Sequence, residues 1–199
     1  MCIRDRFDDC LPYRADLGEG IRRKLLVPFV YTGLADTVDY TPLPWRSGRF
    51  DPAALEAAVA TEARMAAVWQ AWQDHPGTRT LVFCASIRHA GYVRDWLAEK
   101  GVSAVALHSG EGSAPREESL EALADGAIDA VCAVDLLNEG VDIPAVDRVV
   151  MLRPTESPVI FLQQLGRGLR TAAGKTRLQV IDFVGNHRVF LGRIRTLLA

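Results

Sequence analysis

The chain has 199 residues, 49% hydrophobic and 24% charged, the balance of a folded globular protein of one domain or a domain with an appendage. No apolar run reaches the ~18–20 residues that cross a bilayer, and the opening MCIRDRFDDC has no apolar core of a secretory signal; neither a membrane span nor a leader is predicted. The net charge of −2 is unevenly spread, with 7 basic and 16 acidic side chains in residues 51–150 but 8 and 2 in residues 151–199. Such a basic end suits a polyanion, a nucleotide or a nucleic-acid backbone, or else a solvated helix paired with acidic neighbours.

In chain order, residues 1–45 have strand character around IRRKLLVPFVYTGLADTVDYTPLPW but form no complete unit. They are read as the tail of a preceding domain plus a connector, with residues 1–6 fitting no element and resembling a non-native scar. DPAALEAAVATEARMAAVWQAWQDHPG (51–77) predicts one long helix capped by Asp51, with Pro52 in its first turn. Then strands alternate with helices. The strands are 80–85, 103–110, 127–134, 147–153 and 178–184; the helices are 87–101, stopped by Gly101, 114–125, stopped by Gly126, 157–170 and 186–199. Continuous apolar strands in such an alternation predict an α/β fold, three layers with a mainly parallel sheet covered by helices on both faces.

The cysteines (Cys2, Cys10, Cys84, Cys132) make no CxxC pair, and Cys84 and Cys132 sit in apolar strands as buried small side chains. This predicts a reducing, cytoplasmic setting without disulfides or a zinc site. The four histidines lack metal-ligand spacing, and His75 and His89 read as surface or cap residues. Trp69, Trp72 and Trp96 read as core.

Two segments carry chemistry. QQLGRGLR (163–170) puts Arg167 and Arg170 three apart on one helical face beside Gln164 and Gly166, where a glycine permits close backbone approach. Two guanidiniums so spaced can clamp a phosphoryl group, or simply coat an exposed helix. Upstream, Asn138, Glu139, Gly140 and Asp142 cluster on a loop at the end of a buried strand, where open α/β sheets bind ligands; the alternative is a polar turn between strands.

TLVFCAS, LHSG, VDLLNEGVDIP and QQLGRGLR, in that order, resemble motifs IV, V and VI of superfamily 2 helicases. Residues 46–199 are accordingly similar to the second, C-terminal RecA-like domain of that two-domain motor, of the bacterial DEAD/DEAH-box type found in restriction and excision-repair enzymes. The resemblance implies an ATP-dependent DNA helicase or translocase in which this domain is inactive alone. Arg167 and Arg170 would reach the ATP phosphates as arginine fingers, with Gln164 at the same cleft helping to sense the nucleotide or the attacking water, and Gly140, Asp142 and Gly166 lining the nucleotide cleft. Ser86, His108, Ser109 and Asn138 would follow the nucleic-acid strand. ATP and Mg²⁺ would be held mainly by the first RecA-like domain, the partner within the same protein, and DNA would be the track. One position departs from the family: where many members have a phosphate-binding threonine, this chain has Val134, so that contact would fall to backbone N–H groups or to the neighbours of Asp135.

The phosphate-cradling GxxxxGK[ST] and the DExx pair of a first domain are missing from this sequence. Ala173-Gly174-Lys175-Thr176 imitates a phosphate loop but has Leu169 where glycine is needed, and reads as a turn between helix and strand. Asn186-His187-Arg188 follows the last strand as a further candidate loop with no assigned role. The competing reading is a stand-alone nucleic-acid-binding domain without ATPase activity, held to its ligand by salt-sensitive phosphate contacts.

Overall fold

Apolar runs that alternate with amphipathic helices have one economical arrangement, a parallel sheet with helices on its faces. A computed structural model describes residues 17–47, 49–134, 143–154, 166 and 168–187. In chain order the elements are α1 (Leu17–Arg22), β1 (Phe29–Ala35), β2 (Trp45–Arg46), β3 (Arg49–Phe50), α2 (Pro52–Val59), α3 (Glu62–Asp74) and β4 (Thr80–Phe83). There follow α4 (Ile87–Glu99), β5 (Ala104–Leu107), α5 (Arg116–Asp125), β6 (Ala130–Ala133), β7 (Arg148–Met151) and β8 (Leu178–Val184). Six strands form one sheet in the order β1-β8-β7-β4-β6-β5, every pair parallel. The three-layer architecture expected from the sequence is therefore the one the chain adopts.

Every residue of β4, β6 and β7 is buried, because alternate side chains enter separate cores on the two faces. Leu81, Phe83, Val131, Val149 and Val180 face Leu123 of α5 and Leu169. Val82, Cys84, Cys132, Val150 and Ile181 face Met65, Val68 and Trp72 of α3 and Val93 and Leu97 of α4. Cys84 and Cys132 are indeed fully buried free thiols, and Trp69 and Trp96 meet edge-on with ring centroids 5.8 Å apart at the margin of this core. Gly126 ends α5 in the left-handed region at φ +78°, a conformation that glycine adopts without a side-chain clash.

Two sequence expectations are corrected. The single helix over 51–77 is two. Asp51 caps the first as expected, its Oδ1 accepting the Ala54 N–H at 2.9 Å, but Thr61 is extended (φ −124°, ψ 147°) and its hydroxyl accepts the Arg64 N–H to start a second helix. An unbroken rod over that span would be about 40 Å long, against ~13 Å for a four-residue strand. The break leaves α3 on the face of the sheet and frees α2 to pack its buried Val59 near the strand ends. The second correction concerns the segment 1–45. Within it, β1 pairs along its full length with β8, from Phe29↔Leu178 to Ala35↔Val184, so this sheet begins before residue 46. As an edge strand, β1 alternates between half-buried and exposed residues and lacks the continuous apolar run that marks the central strands.

Most of the helix expected over 157–170 and of that over 186–199 lies outside the described residues.

Candidate functional site

Because all six strands are parallel, the loops that follow them lie at one end of the sheet. Ser86, after β4, is the N-cap of α4: its hydroxyl accepts the His89 N–H at 3.1 Å and donates to Glu56 of α2, which also pairs with Arg88 at 3.1 Å. His108, after β5, is 7% exposed, and its Nδ1 accepts the Gly110 N–H at 3.2 Å. Ser109 is exposed on that turn. A Cβ on Gly110 would meet the Ile87 side chain at 2.9 Å, so this turn abuts the start of α4. The structure thus brings Ser86, His108 and Ser109 to one edge, with the Ser86 and His108 side chains engaged within the protein.

Asn138, Gly140, Asp142, Gln164 and Arg167 lie outside the described residues. Val134 is buried at the end of β6, and Ile143 is buried where the chain re-enters the described fold.

Arg170 lies at the opposite end of the sheet. It forms an antiparallel bridge with Leu26, ahead of β1, while the neighbouring Leu169 carbonyl accepts the Val27 N–H at 2.7 Å. Its side chain is exposed. A Cβ on Gly166 would face open space, while one on Gly168 would sit 2.5 Å from the Leu178 side chain. Gly168 therefore lets the chain before Arg170 press against the start of β8, and Gly166 leaves room beside it.

Lys175 fixes this corner. Its ammonium donates to the carbonyls of Pro144 (2.8 Å), Gly168 (2.6 Å) and Arg170 (3.0 Å), joining the chain ahead of β7 to the residues around Arg170. All three N–H groups of the ammonium are used, and Gly174 before it turns at φ +76°. Burial lowers the Lys175 pKa to about 8, opposed by Asp147, so the amine is protonated at neutral pH. The GKT run is the turn that its sequence predicts, with its lysine engaged by backbone carbonyls.

The sequence does not reveal the group that ties the strand ends together. Arg64 is fully buried, and its Nε and Nη2 hold Asp36 at 2.9 Å each. Nη2 also donates to the Leu152 carbonyl (2.9 Å), and Nη1 reaches the Val59 carbonyl (3.5 Å). Asp36 in turn accepts the Tyr40 hydroxyl at 2.7 Å. One guanidinium therefore connects the chain after β1, the end of α2, α3 and the residue after β7. The available signal is helical phase: Arg64 shares the buried stripe of α3 with Met65, Val68, Ala71 and Trp72.

His89, expected at the surface or as a cap, is also buried and lies against Arg64. Its Nδ1 accepts the Ala85 N–H at 3.1 Å and its Nε2 lies 3.4 Å from Arg64 Nη1. A second proton would set a donor against a donor and a charge against a charge. Burial first, and Arg64 second, lower its pKa to about 3, with Asp36 opposing. Asn186 is likewise structural, its amide oxygen accepting the Tyr40 N–H at 2.9 Å and its amide nitrogen donating to Asp39 at 2.7 Å.

Residues 63–172, more than half of the chain, match the helicase conserved C-terminal domain family. The chain belongs to that family. This helicase C-terminal domain is 29% identical over 168 residues to UvrABC system protein B of Bifidobacterium longum (strain NCC 2705), covering 81% of this chain and 21% of that protein. It is 35% identical over 106 residues to the pre-mRNA-splicing ATP-dependent RNA helicase PRP28 of Cryptococcus neoformans var. neoformans serotype D (strain JEC21), covering 53% and 14%. Its fold superposes on the ATP-dependent Type ISP restriction-modification enzyme LlaBIII bound to DNA with a TM-score of 0.66 at 20% identity, over 98% of this chain and 16% of that one. The domain spans between 14% and 36% of the length of the first curated relatives it matches.

The His89 environment gives the helicase C-terminal domain an acid sensitivity of definite sign. The unfolded chain takes up this proton near pH 6.5 and the folded chain only near pH 3, so stability falls as pH drops through that window. A shift of that size corresponds to roughly 4–5 kcal/mol. Urea midpoints measured from pH 7 to pH 4 are expected to fall, and to fall less in His89→Gln; equal pH slopes for the two proteins would contradict the assignment.

Proposed function

We propose that this domain is the second motor domain of an ATP-dependent DNA helicase or translocase, working in the cytoplasm against a first RecA-like domain of the same protein. In this reading Arg167 and Arg170 are arginine fingers: as the two domains close on nucleotide, their guanidiniums stabilise the charge that develops on the transferred phosphoryl oxygens. Gln164 orients the attacking water, and Gly140, Asp142 and Gly166 line the cleft. The first domain holds most of ATP and Mg²⁺, and the ion supplies charge neutralisation on the phosphates when bound. Ser86, His108, Ser109 and Asn138 form half of the nucleic-acid groove. ATP hydrolysis then alternates closure and opening of the two domains, and the track is advanced by that movement.

The observation that supports this reading best is the corner around Arg170. In a helicase C-terminal domain, an exposed arginine follows the open space at Gly166, and its backbone is held by Leu26 and by Lys175. Lys175, the one residue that could pass for a phosphate-loop lysine, is engaged with three carbonyls. The free thiols Cys84 and Cys132 are consistent with a reducing compartment.

The test is ATP turnover by the 199-residue chain with Mg²⁺, with and without single-stranded DNA. No turnover is expected from the chain alone. Turnover is expected when a first domain is supplied, and its loss in Arg167→Ala/Arg170→Ala. Turnover by the chain alone would overturn the composite-site reading.

A further inference from the structure

β2 and β3 pair antiparallel as a short hairpin whose two residue pairs do opposite things. The inner pair, Trp45↔Phe50, is an anchor. The two rings meet edge-on with centroids 4.6 Å apart, His187 packs against both at 4.9 Å, and Tyr40 lies 5.6 Å from Phe50. Phe50 is 5% exposed and joins Val38, Tyr40 and Val59 in a small core of its own. The outer pair is Arg46↔Arg49, both exposed. Residues directly opposite on antiparallel strands hold their Cβ atoms ~4.5–5.5 Å apart, and like charges there are destabilising. The pair is not needed to hold the strands in register, which its aromatic half already fixes beside the turn at Ser47, where φ is +50°.

What the pair does form is one wall of an open cavity of about 310 Å³, lined also by Pro44, Phe50, Asp51 and Pro52. Three carboxylates of the adjoining segments are each engaged within the protein. Asp51 caps α2 through the Ala54 N–H, and Asp39 accepts from Asn186 and from the Thr41 N–H. Glu56 pairs with Arg88 and accepts from Ser86. The arginines therefore present their planar, bidentate donors toward solvent on a rigid platform, the geometry suited to phosphate oxygens.

The position of the hairpin selects the kind of phosphate. Through His187 it is packed on the chain just after β8, at the same end of the sheet as Ser86, His108 and Ser109. In the strand order, β8 is two places from β4 and four from β5. At ~4.8 Å per strand those steps are roughly 10 and 19 Å, a few nucleotides of a single strand. Arg170, the candidate for ATP, is at the other end. From this arrangement we infer that the Arg46/Arg49 hairpin is a backbone-phosphate clamp for single-stranded nucleic acid, extending the groove beyond the helicase motifs. The inference rests on the proposed reading of the strand-end edge as the nucleic-acid side. It adds a contact outside residues 63–172, the part of the chain that matches the family.

The test is fluorescence-anisotropy binding of a labelled oligothymidylate to the full 199-residue chain across a KCl series. Each phosphate contact on a single strand contributes about 0.7 to the slope of log K against log salt. Arg46→Gln/Arg49→Gln is expected to flatten that slope by roughly 1.4 if both contacts are lost. Arg46→Lys/Arg49→Lys, which keeps the charge, should retain most of it. Arg94→Gln/Lys100→Gln, which removes two charges from the far half of α4, should leave it unchanged. Circular dichroism identical to the parent would confirm that the hairpin variants fold, as their exposed side chains predict. If the parent binds and the glutamine hairpin variant keeps its slope, the clamp is wrong while the strand-end reading stands. If the parent shows no binding even at the lowest salt, the clamp and that reading fall together.

Discussion

Replacing Arg170 by alanine in the intact protein is expected to lower ATP turnover by about 10³–10⁵-fold while leaving ATP binding nearly unchanged. The magnitude is that of an arginine finger, a guanidinium that meets the phosphoryl oxygens chiefly in the transition state, so its loss falls on kcat and spares ground-state affinity. Arg170 suits such a substitution because its side chain is exposed while its backbone is held by the Leu26 bridge and the Lys175 ammonium. A circular dichroism spectrum matching the parent would show that the variant keeps the fold. Single-turnover hydrolysis and nucleotide titration on the same preparation separate the two effects. DNA-stimulated turnover retained in Arg170→Ala would overturn the finger assignment.

Arg64→Ala is expected to destabilise the domain by about 3–5 kcal/mol, the cost of leaving one partner of a buried ion pair behind. The Asp36 and Arg64 side chains are 0% and 1% exposed, so the orphaned carboxylate could not reach water without local unfolding. The Leu152 and Val59 carbonyls would lose a donor at the same time. That loss is a large share of the ~5–15 kcal/mol by which domains are stable. The double change Arg64→Met/Asp36→Leu, which removes both charges and keeps volume, should cost less than the single one. Urea unfolding of the three proteins decides it; a single-variant loss below about 1 kcal/mol would mean that the ion pair is not holding the strand ends together.

These two arginines differ in how they are written in the sequence. Arg170 belongs to a local pattern, QQLGRGLR, in which spacing along one helix face already suggests a phosphate. Arg64 carries no pattern of its own. Its partners are 28 residues upstream at Asp36 and 88 downstream at Leu152, and only its phase on the buried stripe of α3 hints at its position. The same holds for the hairpin: the stretch around Trp45 and Phe50 shows no element of its own in the sequence, and its anchor is His187, far along the chain, packed against both rings.

The sequence by itself determined the alternation of strands and helices, the parallel covered sheet, the Asp51 and Gly126 helix ends, and the non-phosphate character of the GKT turn. All of these follow from short-range physics: burial on both faces demands continuous apolar strands, and caps and left-handed turns demand particular residues within a few positions. Tertiary structure alone decided that β1 completes the sheet and that Gly168 lies against Leu178, whereas the break at Thr61 has a local cause, its hydroxyl capping the Arg64 N–H. It also decided that Arg64, Asp36 and His89 share one buried network. The pairing of β1 and the Arg64 network depend on partners tens of residues away, and the contact of Gly168 on a leucine ten residues on; no local pattern in the sequence names those partners.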